Sequence, residues 1–160
     1  MEQVEILQGV PGMLRPFKAY LKEKEIGIGD QVVFYGCPGT CTPFVELLSW
    51  AVRDLGIVPV FVPFIDESKA QVLTAVDGIG MQAIGAPDAL KPRLLVVMGG
   101  LSMPNVPLDA PDVLTVTQKY DAPVIGVCFM DMFRKAGWLD TFVFDLLIDA
   151  AIDPVTIWKA

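Results

Sequence analysis

The 160-residue chain contains no histidine. That excludes Ser-His-Asp and Cys-His catalysis, imidazole acid–base chemistry and His-ligated metals, so any proton transfer must use Asp, Glu, Cys, Tyr, Lys or water. Charge is scarce as well. Charged residues make up 19% of the chain, with 12 basic against 19 acidic side chains and a net charge of −7. A nucleic-acid partner is not expected, because such proteins present a basic patch to phosphate. No apolar run reaches the roughly 18 residues of a membrane span, since Gly, Pro or charge interrupts every one. The first residues, MEQVEILQGVPG, lack a charged stretch followed by an apolar one, so export is not expected. Three cysteines in no framework spacing fit a reducing cytoplasm.

What is present is apolar. Hydrophobic residues account for 53% of a chain of single-domain length. With no membrane span to absorb them, they point to a sheet buried on both faces plus a subunit interface, hence a homodimer or larger assembly.

The stretch from Gln31 to Gly56 is the most informative. Val32–Tyr35 reads as a buried strand, Gly36–Thr42 as a turn and Pro43–Leu55 as a helix. Thr42 suits the N-cap and Pro43 the first helical position. Phe44, Leu47, Leu48, Ala51 and Leu55 form an apolar stripe. Around it, Pro11–Glu25 reads as a helix carrying Leu14, Phe17 and Leu21 on one face, with Gly27 as its C-cap. Ile57–Phe64 is a second strand whose two prolines suggest an edge or an early end. Residues 66–85 contain Asp77-Gly78 between Ala70–Val76 and Ile79–Ile84, a type I′ hairpin signal. The alternative there is a short helix from Asp66. Leu94–Met98 and Val124–Phe129 are further buried strands, and Pro111–Tyr120 is a helix. Asp131 is placed to cap a short helix running to Ala136. Phe142–Ile148 and Val155–Trp158 read as strands joined around Asp153-Pro154. Residues 1–10 fit either a short strand or a frayed helix.

Strands alternating with helices predict a single α/β domain over 1–160. It would be a three-layer sandwich with a mainly parallel, flavodoxin/Rossmann-like sheet, a β-hairpin insertion and a C-terminal edge strand. Strand order 2-1-3-4-5 with right-handed crossovers gathers the loops at 36–42, 99–107 and 129–133 on one edge. Ligands of open α/β sheets bind there, outside the carboxyl ends of the strands.

Three features of that edge could carry chemistry. Gly36, Cys37, Gly39, Thr40, Cys41 and Thr42 form a neutral, hydroxyl-bearing loop before a helix, where free amides and the dipole can hold an anion. It faintly resembles the phosphate loop of flavodoxins and is neither a Walker A sequence nor GxGxxG. The plainer explanation is a tight turn. Cys41 stands where a helix dipole favours the thiolate, Cys37 is within reach as a resolving partner, and Cys128 faces the same edge. Thiol redox or metal binding follows from that grouping, unless all three are small buried hydrophobes. Gly99, Gly100 and Ser102 follow a buried strand and let backbone approach a ligand. Elsewhere, Asp145, Asp149 and Asp153 share a side and could hold Mg²⁺ or Ca²⁺, although a solvated face explains them better. Met98, Met103, Met130 and Met132 could line a soft pocket or fill core gaps.

Gly36-Cys37-Pro38-Gly39-Thr40-Cys41-Thr42-Pro43-Phe44, Gly78-Ile79-Gly80-Met81-Gln82 and Met98-Gly99-Gly100-Leu101-Ser102-Met103-Pro104 are distinctive. Together with Ile148-Asp149-Ala150 and Ile152-Asp153-Pro154-Val155, they resemble a small archaeal family known only as a domain of unknown function. The likeness extends over nearly the whole chain. It implies an archaeal cytoplasmic protein and supplies no catalytic residue or cofactor.

Two functions are therefore expected. One is binding of a small anionic or nucleotide-like ligand by the loops after strands one, three and four. Flavin suits that geometry, but neither loop 36–42 nor loop 99–107 carries a Trp or Tyr to stack on it. The other is a non-catalytic oligomeric or partner-interaction protein, with thiol redox or metal chemistry at Cys37 and Cys41 as a narrower third.

Overall fold

The computed structural model describes residues 1–159. Among them, seven strands form one sheet: β1 (Gln31–Gly36), β2 (Val58–Pro63), β3 (Gln71–Val76), β4 (Gly80–Gly85), β5 (Pro92–Met98), β6 (Val124–Phe129) and β7 (Leu146–Ala150). Their spatial order is β4-β3-β2-β1-β5-β6-β7. Strands β2, β1, β5, β6 and β7 run parallel, which is the expected 2-1-3-4-5 order, and the antiparallel β3–β4 hairpin extends the sheet beyond β2.

Four helices complete the layers: α1 (Gly9–Glu23), α2 (Thr42–Ala51), α3 (Ala110–Thr117) and α4 (Met132–Lys135). The β1–β2 and β5–β6 connections travel in opposite directions across the sheet, so right-handed crossovers put α2 on one face and α3 on the other. The α1 helix shares the α2 face, where Phe17 meets Phe34 at a centroid distance of 6.1 Å. Its buried stripe is Met13, Phe17, Tyr20 and Leu21. Strand β1 is buried from Val32 through Gly36, as a central strand covered on both faces must be.

The structure departs from the sequence expectations in several places. Strand β2 is not an edge, since β3 pairs with it. Its prolines explain how little of it pairs. The N–H groups of Val58 and Phe64 point to β1, bonding Asp30 O and Gly36 O. By strand alternation, Pro59 and Pro63 lack the N–H groups that would face β3. The β2–β3 ladder is accordingly confined to Val60–Val72 and Phe61–Gln71. In the hairpin only Gly78 has positive φ among the two central turn residues, so the turn is not type I′. The alternative helix is also realised, as a single 3-10 turn over Glu67–Lys69 capped by Asp66.

The C-terminus of α1 is turned by Glu25 (φ 54°) rather than by Gly27. The α2 stripe facing the core is Val45, Leu48, Ser49 and Val52. An apolar-only reading passed over Ser49 and so rotated that stripe. Residues 155–158 form no strand, and β7 alone is the edge on that side. Residues 1–8 are neither helix nor strand. No described helix is long and apolar enough to cross a membrane.

Candidate functional site

The loops after β1, β5 and β6 do meet at the carboxyl edge, and the three cysteines are what join them. Gly36 leaves no room for a side chain, because a β-carbon there would lie 2.8 Å from Cys41 Cβ and 3.2 Å from Met98 Cβ. The Cys41 Sγ fills the space a β-carbon on Gly100 would need, and Cys128 does the same at Gly99. The Cys37 thiol donates to Gly100 O at 3.1 Å, while the Cys41 sulfur lies against Gly100 itself. One thiol therefore holds the carbonyl of Gly100 and the other packs beside its α-carbon. Ser102 is buried and donates to Gly99 O at 2.8 Å, which tightens the same turn.

Three of the five N–H groups from Gly39 to Phe44 are used internally, and those of Thr40 and Thr42 are left without a protein acceptor. Cys41, not Thr42, is the N-cap residue of α2, with helical angles and no side-chain cap. Thr42 Oγ1 instead accepts from Gly39 N–H at 3.1 Å. Cys41 N–H donates to Cys37 O at 2.9 Å, and Phe44 N–H to Cys41 O at 3.0 Å. Pro43 has no N–H to offer. A phosphate approaching this loop finds few free donors. Gly39 itself is exposed, has φ 80° and has open space above it, and Thr40 beside it is exposed.

The thiols are also not poised as nucleophiles. Burial pushes the Cys37 thiol up to about 11, with the neighbouring Cys41 adding to the effect. Burial raises Cys41 too, against the lowering effect of its backbone hydrogen bonds. Cys128 reaches about 12, again through burial first and then the Asp149 carboxylate. The dipole of a ten-residue helix is outweighed here by desolvation. No three His, Cys, Asp or Glu side chains among the described residues are grouped to hold a metal. The three aspartates are spread apart. Asp145 accepts from Val124 N–H, Asp149 accepts from Cys128 Sγ and Asp131 N–H, and Asp153 lies in the exposed C-terminal segment.

Flanking this packed floor are residues that the sequence did not single out. Phe64 directly follows β2 with φ 56°, and Met130 and Asp131 directly follow β6 with φ 56° and 61°. Asp tolerates this conformation, but a bulky Phe or Met does so only when the surroundings impose it. The surroundings are visible: Phe64 N–H bonds Gly36 O at 2.8 Å, and Met130 N–H bonds Ala150 O at 3.0 Å. Both side chains still reach solvent, at 38% and 45% exposure. Since β2 and β6 lie on either side of the β1–β5 pair, these residues bracket the Cys41–Gly100 junction. Phe44 on α2 packs on Phe129 at the end of β6, with centroids 4.1 Å apart, and closes the α2 side. Met98 is buried, whereas Met103 and Met132 are half-buried.

A second cluster was also missed. Tyr35 and Tyr120 both donate to Glu67 Oε1 at 2.9 Å, and Lys119 Nζ approaches Oε2 at 3.2 Å. Burial opposes the Glu67 charge, yet the bonds from Tyr35, Tyr120 and Lys119 hold its carboxyl below the ordinary value. Two surface concavities lie elsewhere. One of about 420 Å³ sits at the amino ends of β1 and β2, lined in part by Gln31, Asp88 and Lys91. The other, about 160 Å³, lies between α2 and the hairpin, with Ser49, Arg53 and Met81 in its wall.

Residues 8–153 match the family described as an uncharacterized protein conserved in archaea (DUF2124). The chain is 35% identical over 157 residues to an uncharacterized protein of Methanothermobacter thermautotrophicus, covering 96% of each. It is 37% identical over 145 residues to the uncharacterized protein MJ1183 of Methanocaldococcus jannaschii, covering 90% of this chain and 86% of that one. A crystal structure of a protein of unknown function from Methanothermobacter thermautotrophicus superimposes with a TM-score of 0.87 at 33% identity, covering 99% of both chains. The chain thus belongs to this archaeal family.

Proposed function

We propose that the chain is a cytoplasmic binding protein that takes a small, neutral, ring-bearing molecule at the carboxyl edge of its sheet. The site lies over Gly39, Thr40 and Gly100, between Phe64 and Met130. The observation behind this reading is backbone strain. Two bulky apolar residues with positive φ stand at the ends of the two strands flanking the switch point, each exposing its side chain. Flavodoxin-like topology is consistent with such a site, and three free thiols agree with a reducing compartment. The anionic part of the expected ligand is given up, because Gly39, Cys41 and Phe44 have already spent their amides within the protein.

Anaerobic purification followed by native mass spectrometry tests for a copurified ligand, and a ¹⁵N-detected titration tests the place. Adenosine and inorganic phosphate serve as neutral and anionic probes. Adenosine is expected to shift the amides of Gly39, Thr40, Phe64 and Met130, and phosphate to leave them in place. No copurified molecule together with shifts by phosphate alone would restore the anion reading. No shift at these amides from any neutral probe overturns the site.

A second reading, self-association, is favoured by the exposed apolar side chains of both terminal segments, Val4 and Ile6 at one end and Ile157 and Trp158 at the other. Thiol redox chemistry is not favoured, given three buried thiols held in the protonated form.

A further inference from the structure

Strand β7 ends the sheet, and its outer edge has no strand partner among the described residues. Asp145 lies before the strand, and within β7 Ala150 O accepts from Met130 N–H of the β6 side, so by alternation from Ala150 the N–H groups of Leu147 and Asp149 point outward. Such an edge is a template for another strand unless charge, proline or a bulge blocks it, and Leu146-Leu147-Ile148 does none of these. Meanwhile Val155-Thr156-Ile157-Trp158 is all β-branched and aromatic, the composition of a strand, yet it pairs with nothing. Its side chains stand in solvent, Val155 at 71%, Ile157 at 81% and Trp158 at 89%. The chain thus carries an unpaired strand sequence and an unpaired strand edge only a few residues apart.

We infer that two copies of this chain dimerise by exchanging their C-terminal segments, Val155–Trp158 of each adding antiparallel to the β7 edge of the other. The arrangement is isologous and closes after two copies, as a stable C2 interface must. Setting Val155–Trp158 against Leu146–Asp149 places Trp158 opposite Leu146 and Thr156 opposite Ile148. Leu146 and Ile148 register through Ile125 and Val127 with the sheet face that α1 covers. Trp158 therefore extends an apolar surface that is already there. The same register sets Lys159, the one cation of the segment, opposite Asp145, which supplies charge complementarity at the end of the ladder. Among the described residues, no unpaired β-branched or aromatic segment like Val155–Trp158 adjoins strand β4, the other free edge, in the chain. The homodimer expected from composition acquires a location here, and it is independent of any ligand at the carboxyl edge.

Light scattering and hydrogen exchange on the full chain test this. At micromolar concentration the protein is expected at twice 17.4 kDa, with the Leu147 and Asp149 amides protected. Val155→Asp combined with Ile157→Asp, and separately Ile157→Pro, is expected to give monomers with unchanged circular dichroism and with those two amides exchanging freely. These positions are exposed in the single chain, so the fold survives the changes. A wild-type monomer overturns the inference, and so does a dimer that persists in both variants.

Discussion

The Cys41 sulfur occupies the volume that a β-carbon on Gly100 would require. Gly100→Ala should therefore cost about 1–3 kcal/mol through overpacking. Because the obstacle is a side-chain atom, Cys41→Ala should recover much of that loss, giving a favourable coupling energy in a double-mutant cycle. Gly99→Ala behaves differently. Its β-carbon meets the Cys128 main chain, with Cα at 2.8 Å, so no substitution at Cys128 relieves it. Urea denaturation of the two pairs checks this, and additive losses at Gly100 and Cys41 would count against direct packing.

The thiols provide a pH test. Cys37 and Cys128 ordinarily titrate at 9.0, and in the folded chain they are raised to about 11 and about 12. A raised folded value means the native state holds these protons more tightly than the unfolded state does. The stabilisation is complete below about pH 9 and drains as pH rises through the folded values. Melting temperature should fall across that alkaline range, and iodoacetamide at pH 8 should label none of the three cysteines until the chain unfolds. Rapid native labelling of Cys41 would revive a thiol mechanism.

The sheet order, its parallel sense and the gathering of three loops were legible because buried β-branched runs and Gly-rich turns are local signals read through general crossover rules. The roles of Thr42, Cys41 and Gly100 were not. Whether a thiol is activated or buried depends on what packs above it, and Gly100 is sixty-three residues from Cys37 in the chain. Positive φ at Phe64 and Met130 leaves no trace in residue type, since those residues disfavour it. Val155–Trp158 was read as a strand on composition alone, and a strand also needs a partner that a single copy does not supply.

Thr42→Ala now carries a smaller expectation than a lost helix cap would. Its hydroxyl accepts one N–H, from Gly39, in an exposed loop. Loss of that bond should cost about 0.5 kcal/mol, the low end for a net hydrogen bond. A loss well above about 1 kcal/mol in chemical denaturation would mean that Thr42 caps α2 after all.

Glu67 ties Tyr35 on β1 to Tyr120 beyond α3, and Glu67→Gln tests that link. The amide keeps the shape but gives up the charge to which both phenols and Lys119 point. About 1–2 kcal/mol should be lost, since hydrogen bonds to a charged group exceed neutral ones and this side chain is only partly exposed. The carboxyl is depressed below its ordinary 4.5. Its contribution is therefore present above pH 4.5 and is lost as pH falls through the lower folded value. Wild type should lose melting temperature on that acid limb, and Glu67→Gln should flatten it. Parallel acid limbs would remove Glu67 from the account.

The strain at the carboxyl edge separates a working site from an ordinary sheet end. Met130 and Phe64 hold φ near 56° without the freedom of glycine, at a cost of about 1–3 kcal/mol each. Glycine removes that cost but loosens the unfolded chain by about 0.4–1 kcal/mol. Met130→Gly and Phe64→Gly should therefore each raise stability by about 1 kcal/mol, the reverse of the usual effect of shortening a side chain. If the strain is kept for binding, the same substitutions should weaken the amide shifts that adenosine produces at Gly39 and Thr40, because the bracket around the site is gone. Denaturation midpoints read the first effect and the titration reads the second. Variants that are less stable than wild type would show that Phe64 and Met130 pack well enough to repay their conformation, and the argument from strain to a ligand would fall with them.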